Sequence, residues 1–308
     1  MKILHVDSGK AMRGGQWQTF YLCMGQKTLG LSPLLLAPAA SPLLALARER
    51  GLPCKPLSWL TLWRESKLHA LTHAHDARSH TMGAIAARSP LVVTRRVAFP
   101  VGTSWLSKWK YSRPARYFAI SRFVAGTLEA ADVSGARIAL VYDGVPLEQR
   151  SEGGQRFVTP WWKDSRKGSE LAREAAKKAG VELVESQDLR EDLKNARALV
   201  YLSEVEGLGS AALLALGAGV PVIASRTGGL PEIVRHEETG LLVSNDVESV
   251  ASAIRRLSGD ERLARQLGLQ GREMVKDGFT LAHMALRSLH EYKKLIGAEG
   301  SAVRGARQ

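Results

Sequence analysis

The run Ser203-Glu204-Val205-Glu206-Gly207-Leu208-Gly209 and the loop Gly228-Gly229-Leu230-Pro231-Glu232 hold the residue types best suited to chemistry in this chain. An apolar stretch at 198–202 enters the first run as a strand, and an Ala/Leu stretch at 210–216 leaves it as a helix. Glycines at a helix start let a phosphate approach bare backbone N–H groups, where the helix dipole also favours an anion. A carboxylate beside such a cradle, here Glu206, can accept hydrogen bonds from sugar hydroxyls. Gly219-Val220-Pro221 then launches a second strand at 220–225, which leads into Gly228-Gly229.

Four further segments carry usable groups. Arg13-Gly14-Gly15 follows the first strand, where open α/β sheets bind ligands and glycine permits close backbone approach; a plain tight turn is the alternative. His73-Ala74-His75-Asp76-Ala77-Arg78-Ser79-His80 follows another strand. Its bland reading is a helix start capped by Asp76, while Arg78 and His80 suit an anionic acceptor. Two histidines at this spacing offer a metal only part of a ligand set, and no third ligand has matching spacing, so no metal site is expected. Lys163-Asp164-Ser165-Arg166-Lys167-Gly168 is a basic turn, either solvated or holding a diphosphate. Trp105-Leu106-Ser107-Lys108-Trp109-Lys110-Tyr111-Ser112-Arg113 alternates aromatic and basic residues, which suits an anionic membrane interface or a lipid-linked acceptor as well as a loop packed on its own domain.

The order and spacing of Ser203, Glu206, Gly207, Gly209, Gly217, Gly219, Pro221, Ser225, Gly228, Gly229, Glu232 and Gly240-Leu241-Leu242-Val243 resemble the donor-site signature of the retaining glycosyltransferase family 4. The match covers roughly forty residues, in an order that a bare strand–glycine–helix unit does not reach by chance. The resemblance implies an α/β chain of the GT-B fold, two Rossmann-like parallel-sheet domains facing a cleft. It implies a nucleotide-sugar donor, UDP- or GDP-linked, used as substrate with no cofactor and no metal. The diphosphate would lie against Gly207, Leu208, Gly209, Gly228 and Gly229, with Lys167, Arg166 and Lys163 neutralising it. Glu206 would hold hydroxyls of the transferred sugar, and His75 would line the opposite wall. Gly14 and Gly15 would approach the donor phosphate or the acceptor, with Arg13 and Arg78 on the acceptor side.

Two positions depart from the family pattern. A second glutamate is usual eight residues after the first, where it holds the ribose; here it is Leu214. A Gly-Arg pair is usual ahead of Lys167-Gly168; here it is Trp161-Trp162, with Trp162 in the arginine's place. These departures keep a second expectation open, a GT-B protein without catalysis that binds a partner or a glycan. A GT-B sugar-nucleotide epimerase is a weaker third, since its acidic and histidine residues are unmatched.

At 308 residues the chain accommodates two domains. The expected boundaries are 1–148 for an acceptor-side domain and 155–280 for a donor domain, with a closing helix at about 281–298 returning to the first. Strands are expected at 2–7, 33–37, 70–74, 91–95, 117–120 and 138–142, and helices at 16–29, 41–50 and 121–131. The second half reads as strands 155–160, 181–184, 198–202 and 220–225 with helices at 169–179, 188–195, 247–257, 261–276 and 281–296. This domain is short for the family, the loss falling between 184 and 188. No internal repeat or low-complexity segment stands out.

Hydrophobic residues make up 45% of the chain and charged ones 24%, an ordinary globular balance. No apolar run reaches membrane-spanning length, the start reads as a strand, and Cys23 and Cys54 suit free thiols in a reducing cytosol. The net charge of +13 favours anionic partners, but the basic residues are dispersed and no nucleic-acid motif is present. The expectation is a cytoplasmic enzyme, peripheral at the inner face of a membrane, acting on a glycan or lipid-linked acceptor in lipopolysaccharide or other cell-surface polysaccharide synthesis.

Overall fold

The computed structural model describes residues 1–161 and 167–305, with side chains to residue 297. Trp162, Lys163, Asp164, Ser165 and Arg166 lie outside the described residues. The chain divides into an N-terminal unit, residues 1–144 with those from 281 on, and a C-terminal unit, residues 145–280. The division falls at Gly144/Val145, just ahead of the boundary expected at 148, because Val145 already bridges Thr280 within the second unit.

The N-terminal unit is a seven-stranded parallel sheet. Its strands are β1 (Lys2–Val6), β2 (Ser32–Ala37), β3 (Cys54–Pro56), β4 (Leu71–Ala74), β5 (Leu91–Arg95), β6 (Arg116–Ala119) and β7 (Ile138–Leu140), in spatial order β3-β2-β1-β4-β5-β6-β7. The order reverses between β1 and β4, and crevices at such a switch point receive ligands. Helices α1 (Gly14–Thr28) and α2 (Pro42–Glu49) share one core cluster with Met284 and Ala285 of α12 (Leu281–Gly305). Leu62 of α3 (Trp59–Ser66) and Met82 and Ala86 of α4 (Ala77–Ala86) join another with Leu4 and Val6. Alternation along β1 explains this: Leu4 and Val6 face one way, Ile3 and His5 the other. Helices α5 (Trp105–Ser112) and α6 (Arg122–Glu129) complete the unit.

Strand β3 and helix α3 are not expected from the sequence, and the segment read as an aromatic-basic loop is helix α5. Helices α3 and α5 follow serine N-caps, Ser58 and Ser104, whose side chains accept from Thr61 N and Ser107 N. Residues 58–67 and 104–113 share the pattern S-W-L-[ST]-x-W-[RK]-x-S-[RK], a short duplication where no internal repeat is expected.

The C-terminal unit is a five-stranded parallel sheet of β8 (Arg156–Pro160), β9 (Leu183–Ser186), β10 (Ala196–Tyr201), β11 (Val222–Ser225) and β12 (Gly240–Val243), in order β12-β11-β10-β8-β9. Its helices are α7 (Ser169–Ala179), α8 (Leu189–Asp192), α9 (Ser210–Gly217), α10 (Val247–Gly259) and α11 (Glu261–Gly278). The switch point lies between β8 and β10. Strand β10 is buried along its whole length, as expected for a central parallel strand. Phe157 is fully buried in the main cluster, where truncation to alanine costs about 3–5 kcal/mol. No helix among the described residues is long and apolar enough to cross a membrane.

Candidate functional site

Of the sequence-predicted residues that the structure describes, Lys167 and Glu206 follow the two strands at the C-terminal switch point, and Gly14, Gly15 and His75 follow the two at the N-terminal one. In the C-terminal unit β8 leads to Lys167 and α7, and the adjacent β10 leads to Glu206 and α9. Lys167 Nζ donates to Glu206 Oε2 at 2.6 Å, and Tyr201 Oη donates to the same oxygen at 2.8 Å. The other carboxylate oxygen accepts from Gly207 N at 3.0 Å. Burial, and then the adjacent Glu206 carboxylate, push the Tyr201 phenol well above its ordinary range, so it stays a donor.

Glycine is required at three of these positions. Gly168 and Gly209, the N-caps of α7 and α9, have φ of +64° and +100°. Gly228 has φ +55°, and a Cβ there would sit 1.9 Å from the Glu206 carbonyl oxygen. Gly229 N donates to that oxygen at 3.1 Å, which ties the double-glycine loop to the Glu206 backbone. Behind it, Ser225 Oγ accepts from Ser203 N and donates to Asn245 Oδ1, while Asn245 Nδ2 donates to Ser203 O. The Leu208 side chain is buried, so its backbone is what it can offer to the cradle. Leu214 is half-buried on the α9 face it shares with Ser210 and Ala211. A pocket lined by Arg150, Gln155, Arg197 and Arg265 opens at the strand starts, the other edge of this sheet; Gly219 and Pro221 of the signature reach it, but none of the residues expected to touch the donor or acceptor does.

In the N-terminal unit Gly14 and Gly15 are not a tight turn: they open α1, with Arg13 as N-cap and no side-chain cap. A helix start without a side-chain cap leaves backbone N–H groups that can meet an anion. Asp76 caps α4 through Arg78 N and Ser79 N, and Arg78 is exposed. His80 is buried instead of facing an acceptor: Nε2 meets the Lys110 carbonyl, and burial lowers its pKa to about 3.

His75 is buried as well, with both ring nitrogens committed. Gln26 Nε2 donates to Tyr292 Oη, so its Oε1 must accept from His5 Nε2–H at 2.8 Å. His5 Nδ1 then accepts from His75 Nε2–H at 2.8 Å, leaving His75 Nδ1 to accept from Arg96 Nη1 at 3.3 Å. Arg96 Nε continues to Asp143 Oδ1 at 3.1 Å. His73 is held between Tyr292 Oη and Thr94 Oγ1. Burial keeps these rings neutral: His5 falls to about 4, and His73 and His75 drop well below their ordinary value, helped by neighbouring rings and Arg96. Asp7, beside Gln16 and Thr19, and Asp143 are pushed up by burial.

The fold supplies the third histidine that sequence spacing does not: register pairs His5 with His73, and ligand atoms of His5, His73 and His75 lie within 4.8 Å of one another. Every ring nitrogen of the trio already has a protein partner, and a guanidinium adjoins it.

Two Rossmann-like parallel sheets, each presenting glycine-started helices and basic residues at a switch point, define the GT-B class of protein. Residues 162–274 match the family described as Glycosyl transferases group 1, and residues 13–149 match Glycosyltransferase Family 4. The chain belongs to glycosyltransferase family 4. It is similar to alpha-maltose-1-phosphate synthase of Mycolicibacterium smegmatis, 37% identical over 37% of this chain and 31% of that protein. It is similar to the GDP-mannose-dependent alpha-(1-6)-phosphatidylinositol monomannoside mannosyltransferase of Mycobacterium tuberculosis, 49% identical over 23% of this chain and 19% of that protein. The matched stretches thus span a third or less of these relatives' length. Among solved structures, Anabaena HepE in complex with UDP and glucose superposes with a TM-score of 0.83 at 15% identity, over 94% of this chain and 99% of that one. Sucrose-phosphate synthase from Thermosynechococcus elongatus gives 0.73 at 19% identity, over 96% and 99%. At these identities the likeness is one of fold.

Proposed function

We propose that the protein is a retaining glycosyltransferase that moves a sugar from a UDP- or GDP-linked donor to a glycan or lipid-linked acceptor. The observation that carries the reading is the Lys167–Glu206 pair at the glycine start of α9, beside the switch point of the C-terminal sheet. The diphosphate takes Lys167 and the N–H groups of Gly207 and Gly209; Glu206, released from Lys167, accepts from the sugar hydroxyls. Positive charge and backbone donors suffice for the leaving diphosphate, so the site needs no metal.

The transfer proceeds on one face of the sugar. The acceptor oxygen bonds to the anomeric carbon as the bond from that carbon to the phosphate oxygen breaks. That oxygen takes the acceptor's proton, which makes a separate base unnecessary. The N-terminal unit, with Arg13, Gly14, Gly15 and Arg78, is the acceptor side, and the Gln26–His5–His75 chain holds Arg96 in place there. Lipopolysaccharide or other cell-surface glycan synthesis at the inner face of a membrane is the setting this reading favours. It is supported by relatives named for phosphatidylinositol mannosides and by a fold neighbour named as a lipopolysaccharide outer core galactosyltransferase.

Incubation with UDP- and GDP-sugars, following diphosphate release and the anomeric configuration of the product, tests the reading. Release with retained configuration supports it, and inversion contradicts the mechanism. Leu214 on the open face of α9 favours the second reading, a non-catalytic binding subunit, which predicts no release from any donor.

A further inference from the structure

We propose that the face of the N-terminal unit formed by α3 and α5 docks on an anionic lipid surface. Trp59, Trp63, Trp105 and Trp109 are 52%, 36%, 74% and 40% exposed, four of the seven tryptophans of the chain. Buried aromatic side chains are the rule in a folded core, so four exposed ones on two short helices mark a surface made for something. The duplicated pattern places each pair four residues apart, on one helix face, with Leu60 and Leu106 exposed beside them. Helix α5 buries none of its residues, and α3 buries only Leu62 and Ser66. Both pack beside α4, whose Ile85 is exposed as well.

The charge around this face selects the occupant. Arg64, Lys67, Arg88, Lys108 and Arg113 are exposed. Between residues 55 and 113 the acidic residues are Glu65 and Asp76, and both are engaged, Glu65 by Lys55 and Asp76 by Ser8 and the first turn of α4. The Lys67 ammonium lies 3.3 Å from the centre of the Trp63 ring, a stack of cation over aromatic. Tryptophan with lysine and arginine suits the headgroup layer, and the leucines and isoleucine suit the acyl boundary beneath it. A nucleic acid would use the rings and the cations but leave the aliphatic side chains without a partner. Eight residues rise only about 12 Å, so these helices lie in the interface plane and do not span it.

Sedimentation of the purified full chain with vesicles tests the proposal without any sugar donor, so its outcome stands apart from the glycosyltransferase reading. Vesicles of phosphatidylcholine with phosphatidylglycerol should carry the protein down at low salt, with attachment falling as salt rises; pure phosphatidylcholine should carry far less. Trp59→Ser with Trp63→Ser, and separately Trp105→Ser with Trp109→Ser, should each lower partitioning by at least about tenfold. Leu286→Ser, an exposed apolar change on α12, should leave it unaltered, and melting curves report whether each variant is folded. Unaltered attachment of folded tryptophan variants, no attachment of the parent protein, or no preference for the anionic vesicles overturns the proposal. Tryptophan-dependent attachment to single-stranded DNA in place of vesicles overturns the lipid assignment.

Discussion

Lys167 Nζ lies 2.6 Å from Glu206 Oε2, so the cation suited to a diphosphate and the carboxylate suited to a sugar neutralise each other. Side chains of both are mostly shielded from solvent, at 23% and 14% exposure, so the pair is screened less than a surface bridge. On the proposed reading, a donor that carries both diphosphate and sugar replaces both halves of the pair at once. A bare nucleoside diphosphate replaces one half and leaves the other without its partner.

Glu206→Gln is therefore expected to separate the two functions. Sugar transfer should fall by at least about 10²-fold, since the acceptor for hydroxyl hydrogens is weakened where charge develops. Binding of UDP or GDP alone should be retained or tightened, because Lys167 no longer leaves an ion pair. Kinetics and calorimetry on the same variant check both; retained transfer contradicts the role given to Glu206.

Leu214→Glu should tighten nucleotide binding. The half-buried position shares a face of α9 with Ser210 and Ala211, and a glutamate there can accept from ribose hydroxyls that otherwise lose about 1–3 kcal/mol each when buried without partners. The expected gain is about tenfold in affinity for UDP or GDP, and none for the corresponding inorganic pyrophosphate.

Gly228→Ala should disturb the site from behind. The left-handed backbone alone costs about 1–2 kcal/mol with a Cβ, and the collision with the Glu206 carbonyl forces the two loops apart. A lower melting temperature with lost nucleotide binding is expected. Gly126→Ala, which meets nothing within 4 Å, serves as the comparison.

The stability of the N-terminal unit should fall in acid. His5 titrates from 6.5 in the unfolded chain to about 4 when folded, so between these values the unfolded state binds the extra proton and stability drops as pH falls. For His5 alone the loss is about 3 kcal/mol once pH is below about 4. His73, His75 and His80 act in the same direction. Asp7 and Asp143, pushed up by burial, act oppositely: protonation stabilises the folded form between 3.8 and their raised values. Melting from pH 7.5 down to 5 should show the histidine loss, and His5→Gln should reduce its slope by close to one proton.

Much of the C-terminal site was legible because a contiguous run of forty residues carries it: strand, glycine turn, helix and double-glycine loop all follow local rules. The α1 start was legible in place but not in kind, since Gly-Gly reads equally as a turn until Trp17 N is seen to close the first helical bond onto the Arg13 carbonyl. Helices α3 and α5 were hidden because each is only eight residues long, too short a window for periodicity to separate a helix from a loop, and because their apolar residues face outward rather than into the core. The histidine chain was hidden for another reason. His5 and His75 are 70 residues apart, and only parallel register between β1 and β4 joins them.

Calorimetric titration of the protein with UDP, GDP, ADP and CMP, with and without magnesium, tests the donor site most directly, with Lys167→Ala alongside. The expected result is micromolar binding of UDP or GDP that ignores magnesium and weakens by about 10–100-fold in Lys167→Ala. Binding of none of the four, or binding that depends on magnesium and not on Lys167, contradicts a metal-independent nucleotide-sugar site at Lys167 and Glu206.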